Sequence, residues 1–219
     1  MSRFCLTTTR VCRVLTPIGW LALLVTFSLV LVFSILFSHQ FLAPTKPVKG
    51  EILVVEGWLP DYALIEVKKR FEKEEYRLLV TTGGRIATGH HLSEYKTWAS
   101  LTAARLNKLG IPLEKIISTS QSVINKKDRT YYSVLALSEK FKQDNLLVKS
   151  MDVVSLGVHA RRTWFLYKKV FASASVGIIA IESKSYDPLK WWLYSAGVRG
   201  VISEMIAYLY VRLIFNPPS

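Results

Sequence analysis

Residues 52–84 read ILVVEGWLPDYALIEVKKRFEKEEYRLLVTTGG, and this stretch decides the fold. Positions 52–55 are apolar without interruption, as in a strand buried on both faces of a sheet, and the run stops at Glu56-Gly57. Asp61 is suited to cap a helix in which Leu64, Val67 and Phe71 recur at helical spacing. A second apolar run, 78–82 (LLVTT), halts at Gly83-Gly84. Strand, helix and strand in such close succession predict a parallel pair joined by a right-handed crossover.

Downstream the alternation continues. Ser93 is expected to cap a helix whose Tyr95, Ala99, Ala103 and Leu106 share a face, ending at Gly110-Ile111-Pro112. Residues 116–117 read as a short third strand, and Asp128 as the cap of a helix carrying Tyr131, Val134, Leu135 and Phe141. Residues 153–156 and 176–181 supply the fourth and fifth strands. The fold class is therefore α/β: a Rossmann-like parallel sheet of about five strands with helices on both faces.

Upstream, residues 14–37 (VLTPIGWLALLVTFSLVLVFSILF) contain no charge and exceed the ~20 residues that cross a bilayer as a helix. Arg3, Arg10 and Arg13 precede this run with no acid among them, and the first lysine after it is Lys46. The positive-inside bias then keeps residues 1–13 in the cytoplasm and exports the rest. A cleaved signal peptide fits less well, because the apolar core is too long and SHQFLAP offers no small-x-small site. Residues 38–50 read as a linker, with APTKPVKG at 43–50 its Pro/Gly-rich part. The α/β domain takes 51–182. Residues 183–219 form an aromatic C-terminal helix packed on the domain or the membrane surface, with Val198, Ile202, Met205 and Leu209 on one face. A second span there would bury Arg199, Glu204 and Arg212 at about 2.5–3.5 kcal/mol each.

The 219 residues carry a net charge of +13, and half are hydrophobic. The first 43 hold three arginines and no acids, so the remainder keeps +10. A basic domain tethered to a bilayer should attract anionic, membrane-held molecules. No run interleaves Lys/Arg with aromatics, so nucleic acid is not implied. Cys5 and Cys12 are both N-terminal, which excludes a disulfide scaffold or a cysteine zinc module.

In open parallel sheets ligands sit beyond the carboxyl ends of the strands. Glu56 follows the first strand, Gly83, Gly84 and Arg85 the second, Ser118 to Ser122 the third, and His159, Arg161 and Arg162 the fourth. The glycine-rich turn can present backbone N–H groups to an anion, although it matches neither GxGxxG nor a P-loop. His90-His91 lack the spaced carboxylates of a metal site, and no metal or cofactor is assigned. Glu94 stands at the rim as a possible contact for a hydroxyl or amine. Arg129 and Thr130 stand at a helix start, where a cation is disfavoured by the helix dipole unless an anion compensates. His159 offers a proton near neutral pH, and arginine forks match phosphate or carboxylate oxygens. Glu56, Glu94 and His159 are the candidates for acid–base work. No nucleophile elbow occurs.

The order ILVVEGW, TTGG with Ser93-Glu94, Gly110-Ile-Pro112, DRTYYS and SLGVHARR resembles the YdcF/SanA/ElyC family of bacterial envelope proteins over roughly residues 51–182. The resemblance implies a Rossmann-like domain behind one inner-membrane anchor, outside the cytoplasm. It also implies a role in envelope integrity and in peptidoglycan or lipid-carrier metabolism. Rim residues carried over are Glu56, Gly83, Gly84, Glu94, Arg129, Thr130, His159 and Arg162. QSVINKKDRTYYS lacks the Glu-Asn of many members, and Glu-Gly-Trp replaces a glycine-rich first turn. The expected function is binding of an anionic, phosphate-bearing ligand such as a polyprenyl phosphate or a peptidoglycan precursor. Two alternatives are a non-catalytic sensor of a nucleotide-like ligand and a scaffold for envelope enzymes.

Overall fold

The computed structural model describes residues 14–89, 91–121 and 128–216. The chain divides into two units, Met1–Phe37 and Ser38–Ser219. In the first, helix α1 (Pro17–Leu42) starts where the Thr16 hydroxyl accepts the Gly19 N–H at 3.1 Å and Pro17 fills the first helical position. This helix is long and apolar enough to cross a membrane: its 26 residues measure about 39 Å, more than a ~30 Å hydrocarbon core. Its last five residues belong to the second unit.

That unit is a five-stranded parallel sheet in the order β3-β2-β1-β4-β5. The strands are β1 (Ile52–Glu56), β2 (Leu78–Thr82), β3 (Ile116–Thr119), β4 (Ser150–Leu156) and β5 (Ser175–Ile181). β1 lies between β2 and β4, with Val54 level with Val80 on one side and Val153 on the other. Alternation sorts the core into two layers. Leu53 and Val55 pack with Leu64, Val67 and Leu106 from α2 (Asp61–Lys73) and α3 (Trp98–Lys108). Ile52 and Val54 pack with Leu137, Phe141 and Tyr167 from α4 (Arg129–Gln143) and α5 (Ala160–Val170).

Three local expectations change. Thr97, not Ser93, caps α3: its hydroxyl accepts the Ser100 N–H at 3.1 Å, and the Ser100 hydroxyl answers the Thr97 N–H. Ser93 instead closes a two-residue turn onto the Tyr95 N–H. Asp128 stands at the start of α4 in the left-handed region (φ 50°), and its side chain caps nothing. The segment 43–50 is not free chain. Lys46 makes an antiparallel bridge to Ile178 on the outer edge of β5, and Val48 and Gly50 donate N–H bonds to buried Asp152 at 2.7 and 2.8 Å. An open strand edge and an unpaired buried carboxylate both need partners, and this segment supplies them.

The C-terminal region is a 3-10 segment, Pro188–Leu193, followed by α6 (Ser195–Leu213). The face of α6 turned to the domain carries Gly197, Val201, Tyr208 and Val211. Of the stripe expected there, Ile202 and Leu209 are exposed. Apolar residues line both sides of this helix, so its periodicity points in two directions at once.

Candidate functional site

Strand order reverses between β1 and β4, and in such sheets a crevice opens at the carboxyl ends of the two diverging strands. β1 delivers Glu56 to that point. β4 runs through a 3-10 turn, Gly157–His159, directly into α5. A cleft of about 1570 Å³ lies here, bounded by residues from all the strand exits but that of β5, and by α6.

Its inner wall is a buried charge network. Glu56, 5% exposed, accepts hydrogen bonds from the Ser155 hydroxyl and, at 3.1 Å, from Thr163. His159 Nε2 stands 3.5 Å from Glu56 Oε1, within ion-pair reach. His159 Nδ1 lies 2.8 Å from Glu204 Oε1, which comes from α6. Arg162 grips the same carboxylate with both prongs, Nε to Oε2 at 2.9 Å and Nη2 to Oε1 at 3.1 Å. One carboxylate thus holds two cations, in the fork geometry that favours arginine.

Burial by itself would push the pKa of His159 down. The charge of Glu56 and hydrogen bonds to Glu204 and Glu56 outweigh burial and the nearby Arg162, holding it up at about 9. Burial would likewise raise the pKa of Glu204, but its bonds to His159 and Arg162 pull it down to about 2. The inner wall therefore sets the His159 imidazolium against the Glu204 carboxylate near neutral pH. Burial also lifts the pKa of the Tyr167 hydroxyl well above its usual range, keeping it an O–H group.

Among the described residues, Gln121 Oε1 has no hydrogen-bond partner, Tyr167 Oη has none closer than a weak approach to the Thr82 side chain, and His159 Nε2 has none closer than Glu56 Oε1 at 3.5 Å. All three belong to residues that line this cleft. An orphaned buried polar group costs roughly 1–3 kcal/mol. A donor nitrogen, a hydroxyl and an amide oxygen with bonding capacity to spare, on three residues lining one cleft, give it a polar inner surface. Gly84 makes room for this: a Cβ there would sit 2.7 Å from the Gln121 amide nitrogen.

The outer wall is cationic. Arg85 pairs with Thr97 in an isolated antiparallel bridge, and Ile86 N–H bonds to the Lys96 carbonyl, so the glycine-rich segment forms a flap over the cleft. Arg85 and Lys96 line it, and Arg129 is exposed on the opposite side at the first turn of α4. With His159 protonated, five cations face three carboxylates among the lining residues.

Of the residues nominated from sequence, Glu56, Gly83, Gly84, Arg85, Arg129, Thr130, His159 and Arg162 all border this one cleft. Two do not. Arg161 donates from Nε to the Phe41 carbonyl and stacks its guanidinium 3.9 Å from the Phe41 ring centroid. His159 and Arg162 are three residues apart and share a face, whereas Arg161 points roughly 200° away from His159. Glu94 is exposed on the flap, because α3 begins four residues later than expected. His91 lines the cleft, while His90 and Ser122 lie outside the described residues. No cluster of His, Cys, Asp or Glu able to hold a metal occurs among the described residues.

Sequence reasoning missed Glu204 and Tyr167; Gln121 fell within the 118–122 stretch placed at the rim without being singled out, and Trp58, noted only as part of Glu-Gly-Trp, turns its ring edge-on to His159 at 5.1 Å. Glu204 did leave a signal: it is a lone acid in a long apolar stretch, in helical phase with Val201, Tyr208 and Val211. Neither the scan of protein-family models nor the search of curated proteins finds a match for this chain.

Proposed function

We propose that this chain is a single-pass membrane protein of the bacterial envelope whose extracytoplasmic α/β domain binds an anionic, phosphate-bearing ligand in the cleft. One observation carries this reading: the buried polar side chains with the weakest bonding among the described residues, Gln121, Tyr167 and His159, all belong to the lining of one cleft whose outer wall is cationic. The arginines before the apolar helix support a cytoplasmic N-terminus. The resemblance to the YdcF/SanA/ElyC family and the tether favour a membrane-held ligand, a polyprenyl phosphate or a peptidoglycan precursor.

In this reading the charge is held by the outer wall. Arg129 stands beside the first-turn N–H groups of α4, which have no partners within the helix, and Arg85 and Lys96 add positive potential across the cleft. Arg162 is committed to Glu204, so it positions His159 instead of clamping phosphate. Tyr167, His159 Nε2 and Gln121 take the uncharged polar part of the ligand. The same pairing favours recognition over turnover, since neither His159 nor Glu204 is poised as a base near neutral pH.

The test uses full-length protein in nanodiscs with and without polyprenyl phosphate. Binding to the doped discs should fall about tenfold in Arg129→Ala, a loss of ~1.4 kcal/mol. Equal binding by wild type to doped and plain discs would remove the proposal. Steady release of inorganic phosphate from the lipid would replace recognition with catalysis.

A further inference from the structure

Helix α6 has two working faces. Glu204 and Ala207 border the cleft, and Val201, Tyr208 and Val211 are buried in the domain. On the opposite side Ile202, Ile206, Leu209 and Leu213 follow one another at spacings of four, three and four residues, a single stripe along the helix. These four side chains are 44–74% exposed. Leu193, Tyr194, Tyr210 and Ile214 add exposed apolar and aromatic surface at the two ends. A soluble domain has no reason to present such a stripe to water.

What covers it is indicated by the end of α1. Phe41, in the last turn of that apolar helix, packs edge-on against Tyr208 of α6 at 5.6 Å. Phe41 lies only four residues beyond Phe37, about 6 Å along a helix axis. α6 thus packs against residues that directly follow the apolar segment in the chain. The stripe is flanked by exposed Arg199 and Arg212, and Arg161 sits on the Phe41 ring, a placement suited to anionic headgroups. Tyrosine and tryptophan at such edges favour the water–lipid interface.

We propose that the outward stripe of α6 lies in the interfacial layer of the bilayer, so that one helix has lipid on one side and the ligand cleft on the other. This rests on the anchor reading given above. Its consequence is that a headgroup can reach Arg129 and His159 while its hydrocarbon stays in the membrane, with no extraction of the lipid.

The test takes full-length protein, with Cys5 and Cys12 replaced by serine, in phosphatidylglycerol-containing vesicles. Single cysteines are placed by Val30→Cys in the span, Ile206→Cys on the stripe and Glu72→Cys on the exposed side of α2, and each is labelled with an environment-sensitive fluorophore. Spin-labelled lipids should quench the labels at 30 and 206, with most of the emission lost at both, and leave 72 unaffected. Quenching at 30 but not at 206 overturns this inference and leaves the anchor standing. Loss of quenching at 30 overturns the anchor and this inference with it. A blue shift at 206 that follows protein density in the vesicle, without lipid quenching, assigns the stripe to a second copy and equally overturns it.

Discussion

Glu204 meets two cations at once, His159 on one oxygen and Arg162 on both. Replacing it by glutamine keeps the shape and removes the charge that both cations share. Glu204→Gln should destabilise the domain by about 2 kcal/mol, less than the 3–5 kcal/mol of a fully buried pair because some solvent reaches it. Chemical denaturation measures that loss, and NMR titration should show the imidazole losing its proton at lower pH than in wild type. The native titrations set a pH window. His159 holds its proton up to about 9 in the fold against an ordinary 6.5, so its contribution is whole below pH 6.5 and fades as pH rises through 9. Glu204 runs the other way, whole above its ordinary 4.5 and fading as pH falls toward 2. Urea midpoints taken across pH 6.5 to 9 should decline in wild type and decline less in His159→Gln. Equal slopes would show that His159 contributes no linkage.

At the level of elements, α3 gives a clean contrast between two candidate caps. Thr97→Ala should cost about 1 kcal/mol, since it removes the acceptor for the Ser100 N–H, whereas Ser93→Ala should leave the denaturation midpoint nearly unmoved. Sequence pattern alone pointed to Ser93, because a serine followed by glutamate looks like a helix start. The partner of Thr97 is another hydroxyl residue, Ser100, where the pattern leads one to look for Glu or Gln. The strands were easier. Continuous apolar runs at 52–55 and 78–82 marked them, and the rim at their exits followed from parallel topology. Which of Arg161 and Arg162 enters the cleft depends on where α5 begins, a matter of one residue that periodicity does not resolve. Glu204 was hidden for a different reason. It lies 45 residues from His159 in sequence, and only the docking of α6 brings the two together.

For the whole molecule, the excess of cations over carboxylates in the cleft would make binding of the proposed phosphate ligand salt-dependent. Affinity should fall as ionic strength rises, and more steeply in wild type than in Arg129→Ala, as read from nanodisc titrations at several salt concentrations. Integrity of the fold depends on its opposite end. Asp152 in β4, fully buried, gathers the N–H groups of Val48 and Gly50 and, at 3.0 Å, the Tyr76 hydroxyl. Asp152→Ala should cost about 2 kcal/mol, because it leaves the Val48 and Gly50 N–H groups without their acceptor while the Tyr76 hydroxyl keeps Glu74, and it should open residues 43–50 to protease. That clasp has a mechanical side as well. Lys46 is stitched to β5 and Asp152 grips the N–H groups of Val48 and Gly50, so tension arriving along residues 43–50 is not absorbed by slack chain. It would be shared among several bonds at the sheet's margin, so that a pull on this segment loads β4 and β5 before any chain pays out.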